Sequence, residues 1–419
     1  MNITEPIWRH CHSQPDSTAL IADGQHTSYG ELMEKVWVVS TRLRRAGIRQ
    51  DDRVSVGLEF PAALIVVVLA LARLGAVISP FRNSWPPARK RLLLLRHEVQ
   101  FLIHEPSAGW YGEALPGFCN LEAGLLLAPR MATETLQTPD MACNVDDAYW
   151  WLGLSASATG ALRSVGKTHR RDMLSVALSR YARTATPLRV LVYGDVTGLG
   201  GSMLRCLSAG GTLILTASTD PRHFFDVVET DRPTQLVTST ATAAWLVANG
   251  SQHLTDSRQR CASITSVVLM GNVVPTMLME KIQQHVCRQV EIYYGASEVG
   301  LIASLDQDSY HAHPGVHGKL LPWVKAEAVS ANDRPLEAGQ TGLLRLKTPV
   351  MAEKYLNDPQ ASLSSFREGW FYPGYAGSVD AQGYLRLAGG AGRLPTHHSA
   401  QADGFQTLSA GRPSFLTTA

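Results

Sequence analysis

The stretch from residue 51 to residue 80 constrains the fold more than any other part of the chain. DDRVSVGLEF predicts a strand, and PAALIVVVLALARLGAVISP predicts an apolar helix that runs into a second strand. Such a pattern is typical of a βαβ unit in a parallel sheet that is covered on both faces. With 419 residues, 45% of them hydrophobic and 18% charged, the chain is long enough for two or three subdomains.

Further helix and strand signals extend this pattern. Residues 27–48 predict an amphipathic helix with Ser28 as N-cap, Glu31 three residues later and Gly47 as C-cap. PPARKRLLLLRHEV predicts a basic helix, QFLIH a strand, and residues 188–215 a strand, a glycine-rich turn, a helix and another strand. QLVTST and SVVLMGNVV are short apolar runs that end in small polar residues. Together they predict a mainly parallel sheet whose carboxyl ends carry a site.

Composition and charge exclude several classes of protein. A net charge of +2 and a pI of about 8.2 give no basic stripe, so nucleic acid is not an expected partner. The six cysteines form no CxxC pair and the fourteen histidines no HExxH motif, so we expect no zinc site and no disulfide framework. The N-terminus lacks a signal-peptide pattern, and the longest apolar run, 62–72, is too short to span a membrane. We therefore expect a cytoplasmic protein.

The strongest site signal is WWLGLSASATGALRSVGKTH at residues 150–169. An apolar run breaks into small hydroxyl residues and a glycine: Ser155, Ser157, Thr159 and Gly160. Basic residues and a histidine follow: Arg163, Lys167 and His169. Small residues in a tight loop leave backbone N–H groups that converge on an anion, and cations add charge complementarity, so the pattern predicts a polyphosphate site. The GxxxxGK[ST] spacing is absent. A polar surface turn after a buried strand remains an equal alternative on these residues alone.

This stretch resembles the phosphate loop of the adenylate-forming superfamily, which includes acyl- and aryl-CoA synthetases, luciferases and peptide-synthetase adenylation domains. The superfamily pattern is TSGTTGxPKGVxxTH. An ungapped alignment matches these positions: Ser155, Thr159, Gly160, Val165, Thr168 and His169. Three positions depart from it, because Ser157 replaces a Gly, Leu162 a Pro and Arg163 a Lys.

EIYYGASEVG at 291–300 resembles the YGxTE motif of the same superfamily. The resemblance implies that Tyr294 packs on adenine beside Gly295, that Ser297 contacts phosphate and that Glu298 helps to hold Mg²⁺. An aromatic face suits a base, and a carboxylate suits a hard cation. The alternative is an aromatic strand end with a solvated Glu, which is less favoured this far downstream of a matching phosphate loop.

Two further segments support the resemblance. MGNVVP at 270–275 resembles the SGGAPL loop, which implies that Gly271 and Asn272 approach the acyl group and adenine. The segment that begins VYGDVTGLGG is most similar to that of the aryl-CoA ligases, which implies an acyl pocket lined by Tyr193, Asp195, Gly198 and Gly200. An ordinary turn explains the first segment equally well, and core packing is an equal alternative for Tyr193.

A last stretch, REGWFYPGYAGSVDAQGYL, resembles GWxxTGDxxxxDxDGYL. The positions that match are Trp370, Gly374, Asp380 and Gly383. Tyr375 takes the place of the Asp that holds both ribose hydroxyls, and Gly390 the place of the hinge Arg. A phenol accepts fewer hydrogen bonds than a carboxylate and is bulkier, so these departures weaken the expected ribose contact.

The resemblance implies an α/β fold of two packed sheets with helices (αβαβα) and a small β-barrel-like subdomain. We expect a first α/β subdomain at 1–150, a second with the phosphate loop and adenine motif at 151–310 and the β-barrel-like subdomain at 311–393. Residues 394–419 predict a disordered tail. The superfamily's mobile, lysine-bearing C-terminal domain is expected to be absent.

The implied function is ATP-dependent activation of a carboxylic acid, aryl or medium acyl, as an acyl-adenylate. The acceptor would be the thiol of CoA or of a phosphopantetheine on an acyl carrier protein. Expected catalytic residues are Arg163, Lys167, His169 and Glu298, with Mg²⁺ at Glu298. A separate chain could supply the missing lysine-bearing domain. Because several motif positions are altered, the alternative is a catalytically weak or inactive relative that serves as an acyl- or nucleotide-binding scaffold or as a protein-interaction scaffold.

Overall fold

The structure of the protein is a computed structural model, and it describes a defined set of residues. These are 1–81, 85–105, 118–131, 142, 145–156, 162–178, 188–194, 199–216, 218, 220–250, 256–271 and 274–388. The helices are α1 (Glu5–Ser13), α2 (Tyr29–Arg45), α3 (Pro61–Leu74), α4 (Pro87–Arg96), α5 (Ala123–Leu127), α6 (His169–Leu178), α7 (Leu199–Ser208), α8 (Pro221–Asp231), α9 (Thr240–Asn249), α10 (Ser257–Arg260), α11 (Thr276–His285), α12 (Gln307–Ala312) and α13 (Pro359–Ser365).

The strands are distributed along the whole described chain. They are β1 (Thr18–Ala22), β2 (Gln25–Ser28), β3 (Arg53–Gly57), β4 (Val77–Pro80), β5 (Phe101–His104), β6 (Cys119–Glu122), β7 (Tyr149–Ala156), β8 (Leu162–Thr168), β9 (Arg189–Tyr193), β10 (Thr212–Leu215), β11 (Gln235–Ser239), β12 (Ser266–Met270), β13 (Val290–Ala296), β14 (Gly300–Leu305), β15 (Gly318–Leu320), β16 (Lys325–Val329), β17 (Gly342–Lys347), β18 (Phe366–Arg367), β19 (Trp370–Phe371), β20 (Ala376–Val379) and β21 (Tyr384–Leu387).

These strands form two sheets. The smaller sheet has the order β6-β5-β3-β4-β7-β8, with parallel pairs up to β7 and an antiparallel β7–β8 hairpin at its edge. In the larger sheet β1, β10, β9, β11, β12 and β13 form parallel pairs. From β13 the larger sheet continues with antiparallel pairs through β14 and β15 to β21, β20 and β17. The parallel half therefore has the predicted architecture.

The local predictions for the first 80 residues are confirmed. Strands β3 and β4 pair in parallel on either side of α3, which is the predicted βαβ unit. Helix α2 begins with a full capping box, in which Ser28 accepts from the Glu31 amide and the Glu31 carboxylate accepts from the Ser28 amide. The C-cap is Ala46 rather than Gly47, which follows with φ +98°. This difference of one residue lies within the usual variation of helix ends.

The two sheets divide the chain differently from the predicted boundary at residue 150. The β7–β8 hairpin, predicted to begin the second subdomain, pairs through β7 with β4 in the smaller sheet. The β1–β2 hairpin, predicted in the first subdomain, pairs through β1 with β10 in the larger sheet. Each sheet therefore takes its edge hairpin from the other part of the sequence, which subdomain boundaries drawn along the chain do not capture.

The main apolar core lies between the two sheets. Helix α3 is buried along most of its length and contacts α2, β1 and β4, so it lies against both sheets. Fully burying a Val, Leu or Ile side chain contributes about 1.5–3 kcal/mol, so this helix alone is a large part of the core. A second cluster lies under helices α8, α9 and α11, and a third joins the antiparallel strands at the far end of the larger sheet.

Two further predictions concern membrane-spanning helices and the C-terminal tail. Among the described helices none has both the length and the apolar character needed to cross a bilayer. The predicted tail at 394–419, and Gly390 before it, lie outside the described residues.

Candidate active site

The β7–β8 hairpin presents the first set of predicted site residues. Ser155 on β7 stands opposite Arg163 on β8 in the antiparallel register, and both strands end at the segment 157–161. Directly opposed residues project to the same face of a sheet, so these two side chains share one face. Ser157, Thr159 and Gly160, which complete the predicted phosphate loop, lie outside the described residues.

The carboxylate of Glu298 lies against this end of the hairpin. Glu298 follows β13 and is only 4% exposed. Its Oε1 accepts hydrogen bonds from the Ser155 Oγ at 2.6 Å and from the Tyr355 hydroxyl at 3.0 Å. A buried carboxylate requires such donors, because leaving it unpaired would be costly. The fold thus joins two motifs that the sequence separates by 143 residues.

Tyr355 is a site residue that the sequence analysis missed. Its side chain is buried, and burial together with the neighbouring Glu298 raises the pKa of its hydroxyl. The Arg163 guanidinium lies over the Tyr355 ring at 4.8 Å from the centroid, and its Nη1 donates to the Ser365 Oγ at 3.1 Å. No local pattern marked this isolated tyrosine, since its partners lie far away in the sequence.

The residues predicted to hold adenine and ribose contact each other. The hydroxyls of Tyr294 and Tyr375 are 2.5 Å apart, and the Tyr294 ring lies edge-on to His317 with centroids 5.6 Å apart. Burial raises the pKa of Tyr294 to about 12 and that of Tyr375 well above its usual value, so both phenols are neutral near pH 7. A neutral phenol pair therefore lies where the resemblance implies an aromatic platform and a carboxylate.

The remaining predicted nucleotide-binding residues that the structure describes lie on or beside strands β12, β13 and β20. Gly295 is the bulged position of the β13–β14 pair, where a Cβ would come within 2.7 Å of the Gly300 carbonyl. Ser297 is half-buried in the turn that follows, and Gly271 directly follows β12, with its amide donating to the Tyr293 carbonyl. Gly374 is exposed beside Tyr375, with φ +86°. Asn272 lies outside the described residues.

Two predicted catalytic residues lie farther along the hairpin. Lys167 is half-buried on β8, four residues beyond Arg163, and His169 begins α6 two residues later. At about 3.3 Å per residue, Lys167 lies roughly 13 Å and His169 roughly 20 Å along the chain from Arg163. His169 is fully buried, and its Nδ1 accepts from the Ile3 amide. The structure therefore places His169 in the core, away from Glu298. Strand β8 has Arg163 near its start, at the loop end, and His169 directly after its other end.

The predicted acyl-pocket residues that the structure describes lie in two different places. Gly200 on α7 lies against the rings of Trp150 and Trp151, where a Cβ would meet them at 3.8–3.9 Å. Tyr193 is 1% exposed and packs edge-on against Phe224, with ring centroids 5.0 Å apart. Its surroundings match the core-packing alternative. Asp195 and Gly198 lie outside the described residues.

A cavity of about 390 Å³ opens next to strand β13. Its walls are mostly apolar, with Ile292 and Leu305 on the sheet and His317 at the end nearest to Tyr294. Burial lowers the pKa of His317 to about 4, so its ring is neutral at pH 7. A largely apolar cavity of this size with a few polar groups is typical of a small-ligand site.

The described residues contain no group of three or more His, Cys, Asp or Glu side chains placed to hold a metal ion. Glu298 can supply one carboxylate, and Mg²⁺ is commonly bound by one or two carboxylates together with substrate phosphates and waters. The donor set therefore fits a metal that arrives with a nucleotide rather than a metal held by the protein alone.

A two-sheet α/β fold with a carboxylate, hydroxyls and an arginine at a strand end defines a nucleotide-binding class of enzyme domain. The sequence matches the AMP-binding enzyme family over residues 7–356. The chain belongs to this family, which confirms the superfamily assignment made from the motifs.

Relatives and solved structures agree with this assignment. The chain is 25% identical to an indoleacetate–CoA ligase from Aromatoleum aromaticum, covering 93% of this chain and 78% of that protein. It is 26% identical to a feruloyl-CoA synthase from Amycolatopsis, covering 90% and 76%. The structure of o-succinylbenzoate CoA synthetase from Bacillus subtilis with ATP and a magnesium ion superposes with a TM-score of 0.80 at 19% identity, covering 91% and 78%. The fold class is confirmed, and the family and relatives are those of ATP-dependent acid–thiol ligases, as predicted.

Proposed function

We propose that this chain activates an aromatic carboxylic acid with ATP and passes the acyl group to a thiol. The observation that carries the proposal is the Glu298 carboxylate held by the hydroxyls of Ser155 and Tyr355 at the end of the phosphate-loop hairpin. The aromatic class rests on the indoleacetate and feruloyl relatives. Mg²⁺ would accompany ATP, and CoA or a carrier-protein phosphopantetheine would supply the thiol.

The reaction consists of two transfers. The acid's carboxylate oxygen attacks the α-phosphorus of ATP, a P–O bond forms, and the bond to the β-phosphate breaks to release pyrophosphate. A thiol, losing its proton, then attacks the acyl carbon and displaces AMP. Both steps need mainly positioning and charge neutralisation. Arg163 would neutralise phosphate charge, the Ser155 hydroxyl would orient the Glu298 carboxylate, and Lys167 remains a predicted second cation. Bound Mg²⁺ would add charge stabilisation at the phosphates, with Glu298 as its protein ligand.

The base would occupy the cavity beside Ile292 and His317. Its volume of about 390 Å³ accommodates a purine, and Tyr294 contacts the wall through the His317 ring. Gly271 has no side chain to hinder close approach, whereas the Cβ position of Gly295 is occupied by the backbone of Gly300. We assign no nucleotide contact to His169 and no acyl contact to Tyr193, because both are core residues.

The experiment that tests this function is a pyrophosphate-release assay with ATP, Mg²⁺ and CoA over a panel of aromatic and aliphatic acids. We expect release with at least one aromatic acid and a thioester product. A folded protein that releases no pyrophosphate with any acid, with CoA or with a carrier protein as acceptor, would contradict the proposal. The same assay with added candidate carrier proteins or lysine-bearing domains tests the predicted partner chains, and cell fractionation tests the predicted cytoplasmic location.

One observation favours a second candidate, a weakly active or inactive scaffold. The Tyr294–Tyr375 hydroxyl pair lies where a ribose-binding carboxylate is expected, so each phenol already has a partner. On this reading ATP binds with a dissociation constant in the high micromolar range or worse, about −5 kcal/mol.

Tyr375→Asp separates the two candidates. We expect it to tighten ATP binding by tenfold or more if the rest of the site is intact, because a carboxylate can accept from both ribose hydroxyls. Calorimetry on both proteins is the measurement. Submicromolar ATP binding with multiple-turnover thioester formation by the wild type would refute the scaffold candidate.

A further inference from the structure

The segment that carries Tyr355 crosses directly over Glu298. We call residues 348–357 the strap. Its backbone and side chains bond to the motif that it covers: the Thr348 Oγ1 donates to the Val299 carbonyl at 2.8 Å and the Ala352 amide to the Glu298 carbonyl at 2.6 Å. At its far end the Leu356 amide donates to the Ser164 carbonyl of β8 at 2.9 Å. The strap is thus docked on both motifs that meet at Glu298.

Arg171 donates hydrogen bonds to both the strap and β8. It lies in the first turn of α6, where its amide donates to the Thr168 Oγ1. Its Nε donates to the Val350 carbonyl of the strap at 2.8 Å, and its Nη1 to the Gly166 carbonyl of β8 at 2.7 Å. The guanidinium is a rigid planar fork, so two bonds to two separate backbones fix those backbones relative to each other.

One of the two segments that Arg171 joins carries a donor to Glu298, and the other is paired with the strand that carries the second donor. Gly166 lies on β8, which is paired with the strand that carries Ser155, and Val350 precedes Tyr355 by five residues on the strap. A small displacement of either segment would alter a hydrogen bond of 2.6–3.0 Å to the carboxylate. Misplacing a catalytic group by 1 Å can cost a hundredfold in rate.

The charges around Arg171 support the same arrangement. Burial lowers its pKa, while the carboxylates of Asp172, Glu353 and Glu298 act in the opposite direction. An arginine keeps its charge under such conditions, so Arg171 stays a cation whose N–H groups donate to both backbone carbonyls.

We propose that Arg171 is a positioning residue of the candidate active site, which holds the strap on β8 and thereby keeps the Tyr355 hydroxyl on the Glu298 carboxylate. Its effect on turnover rests on the proposed function, whereas its effect on the strap does not. Arg171 itself need not contact the nucleotide.

Hydrogen exchange of the ligand-free protein tests the positioning directly. In Arg171→Gln we expect the amides of Ala352 and Leu356 to exchange at least tenfold faster than in the wild type. Arg170→Gln is the matched control, because Arg170 is the preceding residue of α6, is exposed and pairs at the surface with Asp147. Unchanged protection of both strap amides in a folded Arg171→Gln protein would overturn the proposal. Arg171→Lys is measured in parallel and keeps the test intact if the Gln variant does not fold.

A double-mutant cycle with Tyr355→Phe tests the consequence for the site. If Arg171 acts through Tyr355, the fold-loss in kcat/KM for ATP in the double mutant Arg171→Gln/Tyr355→Phe will be smaller than the product of the two single-mutant fold-losses. Arg171→Lys should behave like the Gln variant, since it keeps the charge but not the fork. Independent, multiplicative losses, or full activity in Arg171→Lys, would overturn the role. A wild type that neither binds ATP nor releases pyrophosphate would instead contradict the proposed function, and the exchange result would still decide the role of Arg171 at the strap.

Discussion

The two ends of the β7–β8 hairpin come from one stretch of 20 residues, yet they lie in opposite surroundings. At the loop end Ser155 donates to the Glu298 carboxylate and Arg163 contacts Tyr355. At the other end Trp150 donates to Asp172 from the core, and His169 is fully buried beside the N-terminal segment. A motif match therefore identifies the family, but it does not say which of the matched side chains face a ligand and which support the sheet.

The largest expected effect lies at the loop end. Replacing Glu298 by Gln removes the charge that we assign to the metal while keeping the shape, so ATP-dependent turnover should fall about 1,000-fold, about 4 kcal/mol, and its Mg²⁺ dependence should be lost. Pyrophosphate release across a Mg²⁺ titration measures this. Glu280→Gln, an exposed change on α11, is the control. Wild-type binding and turnover that are indifferent to Mg²⁺ would remove the role assigned to Glu298.

At the core end the expected effect is on stability. Burial lowers the pKa of His169 from 6.5 to about 4, so the residue is neutral in both states above pH 6.5. Between pH 6.5 and 4 the unfolded chain takes up a proton that the folded chain does not, so the free energy of unfolding decreases as the pH is lowered. This costs about 3 kcal/mol over the window. His169→Asn should reduce that slope in denaturant unfolding from pH 7 to 4.5, to which the buried His97 and His317 also contribute, without changing ATP affinity at pH 7.5. A large loss of ATP affinity in His169→Asn would show that the two ends are not separate.

At Arg163 the expected effect is on ATP binding. Arg163→Ala removes a cation from the predicted phosphate site and should weaken ATP binding more than tenfold, about 1.4 kcal/mol, in addition to any stability lost with its contacts to Tyr355 and Ser365. Calorimetry with ATP measures this. Arg170→Ala, at the core end and exposed, is the control. Unchanged ATP affinity in a folded Arg163→Ala protein would count decisively against the phosphate site.

The smallest expected effect concerns the donor that sequence did not identify. Tyr355→Phe removes one of two hydroxyl donors to the Glu298 carboxylate and should reduce kcat/KM for ATP about fivefold, about 1 kcal/mol. Steady-state kinetics over a range of ATP concentrations measures it, with Tyr29→Phe, whose hydroxyl donates to the Leu207 and Gly211 carbonyls in the core, as the control. An unchanged kcat/KM would show that the Tyr355 hydroxyl does not orient the carboxylate.

Local patterns predicted several individual elements well. The βαβ unit, the capping box at Ser28 and the strand before Glu298 all follow from periodicity and capping over a few residues. Sequence placed Ser155, Arg163 and Glu298 in one site only through the resemblance, and the hydrogen bond between Ser155 and Glu298 agrees with that placement. The roles of Ser157, Thr159 and Gly160 stay predictions.

By itself the sequence determined the family, the alternation of strands and helices and the order of the motifs, because these depend on residues close together in the chain. Only the tertiary structure decided that Tyr355 donates to Glu298 from 57 residues away, that Tyr294 and Tyr375 pair across 81, and that His169 faces Ile3 across 166. Each of these contacts depends on how the two sheets and the strap pack. Burial then sets the protonation of each group, since the low-dielectric interior favours the neutral phenols and the neutral imidazole.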